Sequence, residues 1–271
     1  MPSLPERRTR VAGRLTAFYA LACALSWACW IPAALNPDGS HALLLAGGFG
    51  PLAAAAIMLG PRSQRAERHR WWLRLTGVRA MMSPAGAISV LGPLLLAGLA
   101  LASWQLGDGI DLPGAGAGGF ARLLVLVVLL GALPQEFAWR GYALPLLIRG
   151  RDPVAPTLLL GLGWALWQLP LFFVPGTWQA TIPAVSVFGL LYLVGVLAQS
   201  LLLTTLYLAT RCTWTAVAFQ GGTLLAGEYW QLPLAAELHR WLWTVLLAGM
   251  VLLLRPPFGI YSGADGEGTR R

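Results

Sequence analysis

The segment Pro134-Gln135-Glu136-Phe137-Ala138-Trp139-Arg140-Gly141-Tyr142 sets a carboxylate and a guanidinium four residues apart in otherwise apolar sequence. No charge occurs from Leu123 to Pro134, so Glu136 and Arg140 lie well inside a greasy helix. The i,i+4 spacing puts both on one helical face, where each can neutralise the other. Charges at membrane depth are costly, turn toward the bundle interior and are candidates for function. A structural ion pair and a functional charge pair are both compatible with the spacing alone.

Three amides interrupt the apolar helices of the second half: Gln135, Gln168 within Trp164-Ala165-Leu166-Trp167-Gln168-Leu169-Pro170, and Gln220 within Ala216-Val217-Ala218-Phe219-Gln220-Gly221. Counting at 1.5 Å per residue from the nearest cytoplasmic Arg or Pro places them roughly 20, 18 and 12 Å deep. Singly, each would be interhelical glue. Together they predict one cavity, open toward the cytoplasmic half of the membrane, with Glu136 in its wall. Pro134, Pro145 and Pro170 free backbone carbonyls that only a buried or wet site tolerates.

Such residues need a membrane bundle to position them. The chain is 57% hydrophobic and 11% charged, against about 25% charged in soluble domains. Its apolar runs are continuous rather than alternating, which argues for spanning helices and against a β-barrel. The expected fold is an all-α polytopic bundle of about eight spans: Leu15–Leu35, Ala42–Leu59, Pro84–Trp104, Phe120–Leu147, Thr157–Val174, Ile182–Leu208, Trp214–Leu225 and Trp241–Leu254. Residues 1–261 form one transmembrane domain, and Gly-rich 262–271 a disordered cytoplasmic tail.

All 19 basic residues are Arg and the net charge is +8. Arginines fill alternate loops, whereas Asp108, Asp111, Glu228, Glu237 and Arg240 fall in the opposite ones. The positive-inside rule puts both termini in the cytoplasm of a bacterial plasma membrane. The expected partner is therefore the lipid bilayer, and no nucleic acid is implied. The arginine-rich N-terminus imitates a signal peptide, but its apolar stretch is too long and lacks a small-residue cleavage site. Arg62–Arg79, with Trp71 and Trp72 among its arginines, suits a short interfacial helix or a plain cytoplasmic loop equally. Cys23, Cys29 and Cys212 read as free thiols, and His41, His69 and His239, in loops or at helix ends, lack zinc-type spacing. No metal or cofactor is expected.

The segment from about Leu123 to Leu225 resembles the CPBP family, the CAAX-processing and bacteriocin-processing intramembrane proteases also called the Abi family. Family members carry Glu-Glu-x-x-Trp-Arg-Gly-Tyr, then a Trp-x-x-Trp-His-x-Pro-like helix, then His-x-x-x-Asn. This chain matches at Glu136, Trp139, Arg140, Gly141, Tyr142, Leu144 and Pro145, and again at Trp164, Trp167, Leu169, Pro170, Phe172, Gly176 and Thr177. The N-terminal helices add only a family-like topology.

The departures fall on the chemistry. Gln135 stands where the family has its first Glu, Gln168 and Gln220 where it has its two His, and Leu224 where it has Asn. The resemblance implies that the first Glu and first His activate the attacking water, that the second His and the Asn stabilise the oxyanion, and that Glu136 and Arg140 are architectural. An amide has no proton-accepting pKa near neutrality, so Gln135 cannot serve as general base. Gln168 and Gln220 can still donate hydrogen bonds. Three functions follow. The first is an inactive pseudoprotease that binds a hydrophobic or prenylated peptide or a partner membrane protein. The second is an endopeptidase using Glu136, and the third a small transporter.

Overall fold

A computed structural model describes residues 4–36, 40–60, 65–105, 124–148, 152–230 and 234–254. Among them every regular element is helical: α1 (Leu4–Leu35), α2 (Ser40–Gly48), α3 (Gly50–Met58), α4 (Arg65–Thr76), α5 (Pro84–Gln105), α6 (residues 124–147), α7 (Val154–Trp167), α8 (Val187–Thr210), α9 (Thr213–Trp230) and α10 (Leu234–Leu254). Six stretches are long and apolar enough to cross a membrane: Thr9–Leu35, His41–Met58, Pro84–Ala102, Val154–Phe173, Val187–Thr210 and Leu234–Leu254. The chain is thus an all-helical membrane bundle. The two remaining expected spans, α6 and α9, carry Gln135, Glu136, Arg140 and Gln220.

Prolines shape the rods at predictable places. Pro51 has no N–H for the Gly47 carbonyl four residues back, and the Ser26 hydroxyl donates to that oxygen at 2.7 Å. The second expected span accordingly breaks at Phe49 into α2 and α3. Pro145 orphans the Gly141 carbonyl in the same way, and Arg74 donates to it at 3.1 Å. Pro170 ends the α-helical part of α7, and the chain continues as a 3-10 helix over Leu169–Phe173.

Helix α6 is the least regular rod. It alternates π-helix (Val125–Ala132), α-helix (Leu133–Ala138), π-helix (Trp139–Ala143) and α-helix (Leu144–Leu147). Single π turns commonly mark functional segments, and here the second holds Trp139-Arg140-Gly141-Tyr142.

Several boundaries differ from expectation. Helix α1 begins at Leu4 rather than Leu15, because arginine is a good helix former and Arg14 is anchored by Glu67 at 2.9 Å. Helix α8 begins at Val187 rather than Ile182, where the Ser186 hydroxyl caps the amides of Phe188 and Gly189. Helices α9 and α10 absorb Glu228, Glu237 and Arg240, which the sequence had suggested lie in a loop. Glu237 and Arg240 instead form a buried pair one turn apart, which lets an apolar helix hold both charges. His69 and His239 likewise sit inside helices. The expected aspartate loop and the tail at 262–271 lie outside the described residues.

Helix α1 is more than topology. Its Phe18 and Tyr19 pack on the fully buried Trp139 at ring separations of 5.4 and 5.5 Å. Trp30 packs on Trp167 at 4.7 Å. The Trp167 indole donates to Ser26 at 2.6 Å, and the Trp27 indole to the Trp167 carbonyl at 2.9 Å. Trp139 and Trp167, one from each motif, are therefore seated on the N-terminal helix.

Candidate functional site

Glu136 and Arg140 are fully buried on α6 and joined at 2.9 Å. The π turn carries the guanidinium toward α8, where it donates to the Ser200 hydroxyl at 3.1 Å. That hydroxyl in turn donates a hydrogen bond to the Thr157 carbonyl on α7 at 3.2 Å. The guanidinium carbon also lies 5.1 Å from the Trp164 ring centre, within cation–π range. One ion pair thus fastens α6, α7 and α8 together.

The Trp164 indole donates to Gln135 Oε1 at 3.1 Å. On the same helix, Gln168 Nε2 reaches the Trp164 carbonyl at 3.5 Å. Gln168 Oε1 accepts from the Tyr192 hydroxyl at 2.7 Å and from Gln179 Nε2 at 3.2 Å. Gln135, Trp164, Gln168, Gln179 and Tyr192 make one continuous polar chain. Gln220 belongs to a second cluster: its Oε1 accepts from Gln199 Nε2 at 2.6 Å, and Gln199 also donates to Thr223 at 3.1 Å.

Both clusters meet on α8. Tyr192, Gln199 and Ser200 recur at i, i+7 and i+8, one stripe of a helix, and they receive Gln168, Gln220 and Arg140 respectively. Three motif groups are thus held by this one stripe. The signal was present: Gln199-Ser200 interrupts an apolar helix just as the other amides do.

A shared open cavity was expected, and the geometry differs. The motif amides are closed on hydrogen-bond partners and lie 4–8% exposed at Gln220 and Gln168. One cleft lies beside Arg70, Arg74 and Tyr142, and another beside Trp178, Trp241 and Tyr192, the partner of Gln168. Amides both donate and accept, and Gln168 and Gln220 each pair with another glutamine, Gln179 and Gln199. Leu224, one turn beyond Gln220 and 36% exposed, supplies a methyl beside Gly131 of α6 and no amide.

This arrangement of a Glu-x-x-Trp-Arg-Gly-Tyr turn facing a Trp-x-x-Trp helix has relatives. Residues 117–224 match the type II CAAX prenyl endopeptidase, Rce1-like family. The chain is also 32% identical over 89 residues to CAAX prenyl protease 2 of Methanococcus maripaludis, a stretch covering 32% of this chain and 33% of that protein. The chain therefore spans about a third of the length of this relative. Over this segment the chain is similar to the CAAX prenyl endopeptidases. The motif tryptophans Trp139, Trp164 and Trp167 and the Glu136–Arg140 pair are buried, while the positions that resemblance assigns to water activation hold amides. Among the described residues no group of three or more His, Cys, Asp or Glu is placed to hold a metal ion.

Proposed function

We propose that this protein is a membrane pseudoprotease of the CPBP family: it retains the intramembrane protease scaffold and binds a hydrophobic or prenylated peptide, or a partner membrane protein, without cleaving it. The observation that carries this reading is the hydrogen-bond chain Gln135–Trp164–Gln168–Tyr192. Hydrolysis needs a group that takes a proton from water at near-neutral pH, and no member of that chain does so. The one buried carboxylate of the motif, Glu136, is engaged through one oxygen by the Arg140 guanidinium at 2.9 Å.

Binding without turnover is tested with a fluorescent farnesylated CAAX peptide and the purified full chain in nanodiscs. The expected result is saturable binding, competed by unlabelled peptide, with the peptide recovered intact. Absence of saturable binding to this and to transmembrane peptides would contradict the peptide-binding arm.

An endopeptidase that uses Glu136 is the second reading. Glu136 Oε2 is buried without a hydrogen-bond partner, so one carboxylate oxygen is uncommitted while the other holds Arg140. Cleavage abolished by Glu136→Gln would favour it.

A further inference from the structure

Helix α4 sorts its side chains by charge. Its one acidic residue, Glu67, turns inward to Arg14. The rest of the inner edge is tied to the bundle. The Trp71 indole donates to the Phe137 carbonyl at 3.3 Å, Arg74 donates to the Gly141 carbonyl, Leu75 is buried, and the Trp214 indole donates to the Leu75 carbonyl at 2.6 Å. Gly141 permits this approach, since a Cβ there would stand 3.3 Å from the Trp71 indole nitrogen. Arg68 is likewise spent on the Gly60 carbonyl. The helix is anchored to α6 and α9 by these bonds.

What remains outward is basic and apolar. Arg65, His69, Arg70 and, in the following 3-10 turn, Arg79 are exposed. Between them Trp72, Leu73, Val78 and Met82 are 57, 55, 52 and 91% exposed. Water solvates such apolar surface poorly, whereas the boundary of headgroups and acyl chains accepts both the indole and the aliphatic groups. Arginine stems lie along apolar surface while their heads reach outward to phosphate. Arg70 also overhangs the cleft whose other walls include Arg74, Tyr142 and Pro145, so the basic surface leads toward the motif turn.

We propose that the outer side of α4 and the turn after it is a binding surface for anionic phospholipid headgroups. Arg65, Arg70 and Arg79 take the phosphates, and Trp72, Leu73 and Met82 enter the acyl boundary. The charge sorting commits the surface to an anionic membrane rather than a neutral one, because each arginine near such a surface contributes roughly fivefold in affinity. The lipid would then brace the helix that holds the Phe137 and Gly141 carbonyls, whatever the catalytic state of the site.

The test uses the full chain in neutral detergent, with unfolding temperature read as dioleoylphosphatidylglycerol or dioleoylphosphatidylcholine is added. Phosphatidylglycerol should raise it by several degrees more than phosphatidylcholine, and the excess should shrink between 50 and 500 mM NaCl as charges are screened. The combined Arg65→Gln, Arg70→Gln and Arg79→Gln variant should weaken apparent phosphatidylglycerol affinity on the order of a hundredfold. Trp72→Ala should reduce the lipid response while leaving any response to polyglutamate unchanged. Equal responses to the two lipids, or a salt-independent excess, would overturn the proposal on the unaltered chain alone. An undiminished response in the triple variant, or polyglutamate acting as strongly as the lipid, would overturn it as well.

Discussion

The Trp164 indole donates to Gln135 Oε1 at 3.1 Å, joining α7 to α6 at the position where the resemblance places the family's first catalytic glutamate. The same ring lies 5.1 Å from the Arg140 guanidinium carbon. A family tryptophan thus serves two neighbours at once, and Gln135 is used as an acceptor, which a glutamate would also be.

Two variants separate these roles. Gln135→Glu keeps the acceptor but adds a carboxylate beside buried Glu136, so any loss it shows reports charge burial rather than a missing bond. Trp164→Phe removes the donor and weakens the stacking, at a cost of about 1–3 kcal/mol. Thermal unfolding in detergent checks both. An unchanged temperature for Trp164→Phe would show that the bond from Trp164 to Gln135 does not matter to the fold.

Breaking the buried pair should be the more severe change. Glu136→Ala leaves Arg140 charged in a fully enclosed site, which typically costs about 3–5 kcal/mol. Glu136→Leu combined with Arg140→Met removes both charges and should be better tolerated than either single change. Comparing unfolding temperatures of the singles and the double tests this. An unchanged temperature for Glu136→Ala would place the residue in a solvated setting and reopen its candidacy as a base.

Arg74 and Pro145 should be coupled through a carbonyl that neither owns. Arg74→Gln leaves the Gly141 oxygen without its donor, a loss of about 1–3 kcal/mol. In a Pro145→Ala background the restored N–H can take that oxygen, so the Arg74 change should cost less. A double-mutant cycle should give a coupling of at least about 0.5 kcal/mol. Strict additivity would mean that Arg74 acts elsewhere.

Much of this was legible in the sequence. Continuous apolar runs gave an all-helical bundle, and the spacing of Glu136 and Arg140 gave a pair on one face, as found at 2.9 Å. The prolines marked carbonyls in need of partners, though not which partners. Ser26 and Arg74 come from distant helices, and nothing local encodes their approach. The π turn at Trp139–Ala143 was invisible because it depends on tertiary packing rather than composition. The sequence shows which amides interrupt the apolar helices, but not how they pair. Depth along an axis says nothing of azimuth, and it was the Tyr192, Gln199 and Ser200 stripe that drew the amides into separate clusters. Glu237 and Arg240 were misplaced because charges suggest loops, and only a structure shows that two of them neutralise each other within a helix.

The site should also resist simple repair. The triple change Gln135→Glu, Gln168→His and Gln220→His restores the acid and both imidazoles that resemblance implies. Leu224 still lacks the asparagine amide, and contributions within one catalytic unit do not add. The triple variant should therefore recover little cleavage of a farnesylated CAAX peptide, and adding Leu224→Asn should raise it further. Equal activity with and without Leu224→Asn would remove that position from the account.

The most direct test of the central claim is whether the unaltered chain cleaves anything. Purified protein in nanodiscs is incubated with farnesylated CAAX and transmembrane peptides, and products are read by mass spectrometry beside an active CAAX protease. Loss of a general base alone costs about 10²–10⁴-fold, so the account predicts intact peptide after prolonged incubation. Robust cleavage that survives chelation and disappears in Glu136→Gln would contradict it and make Glu136 the base of a working protease.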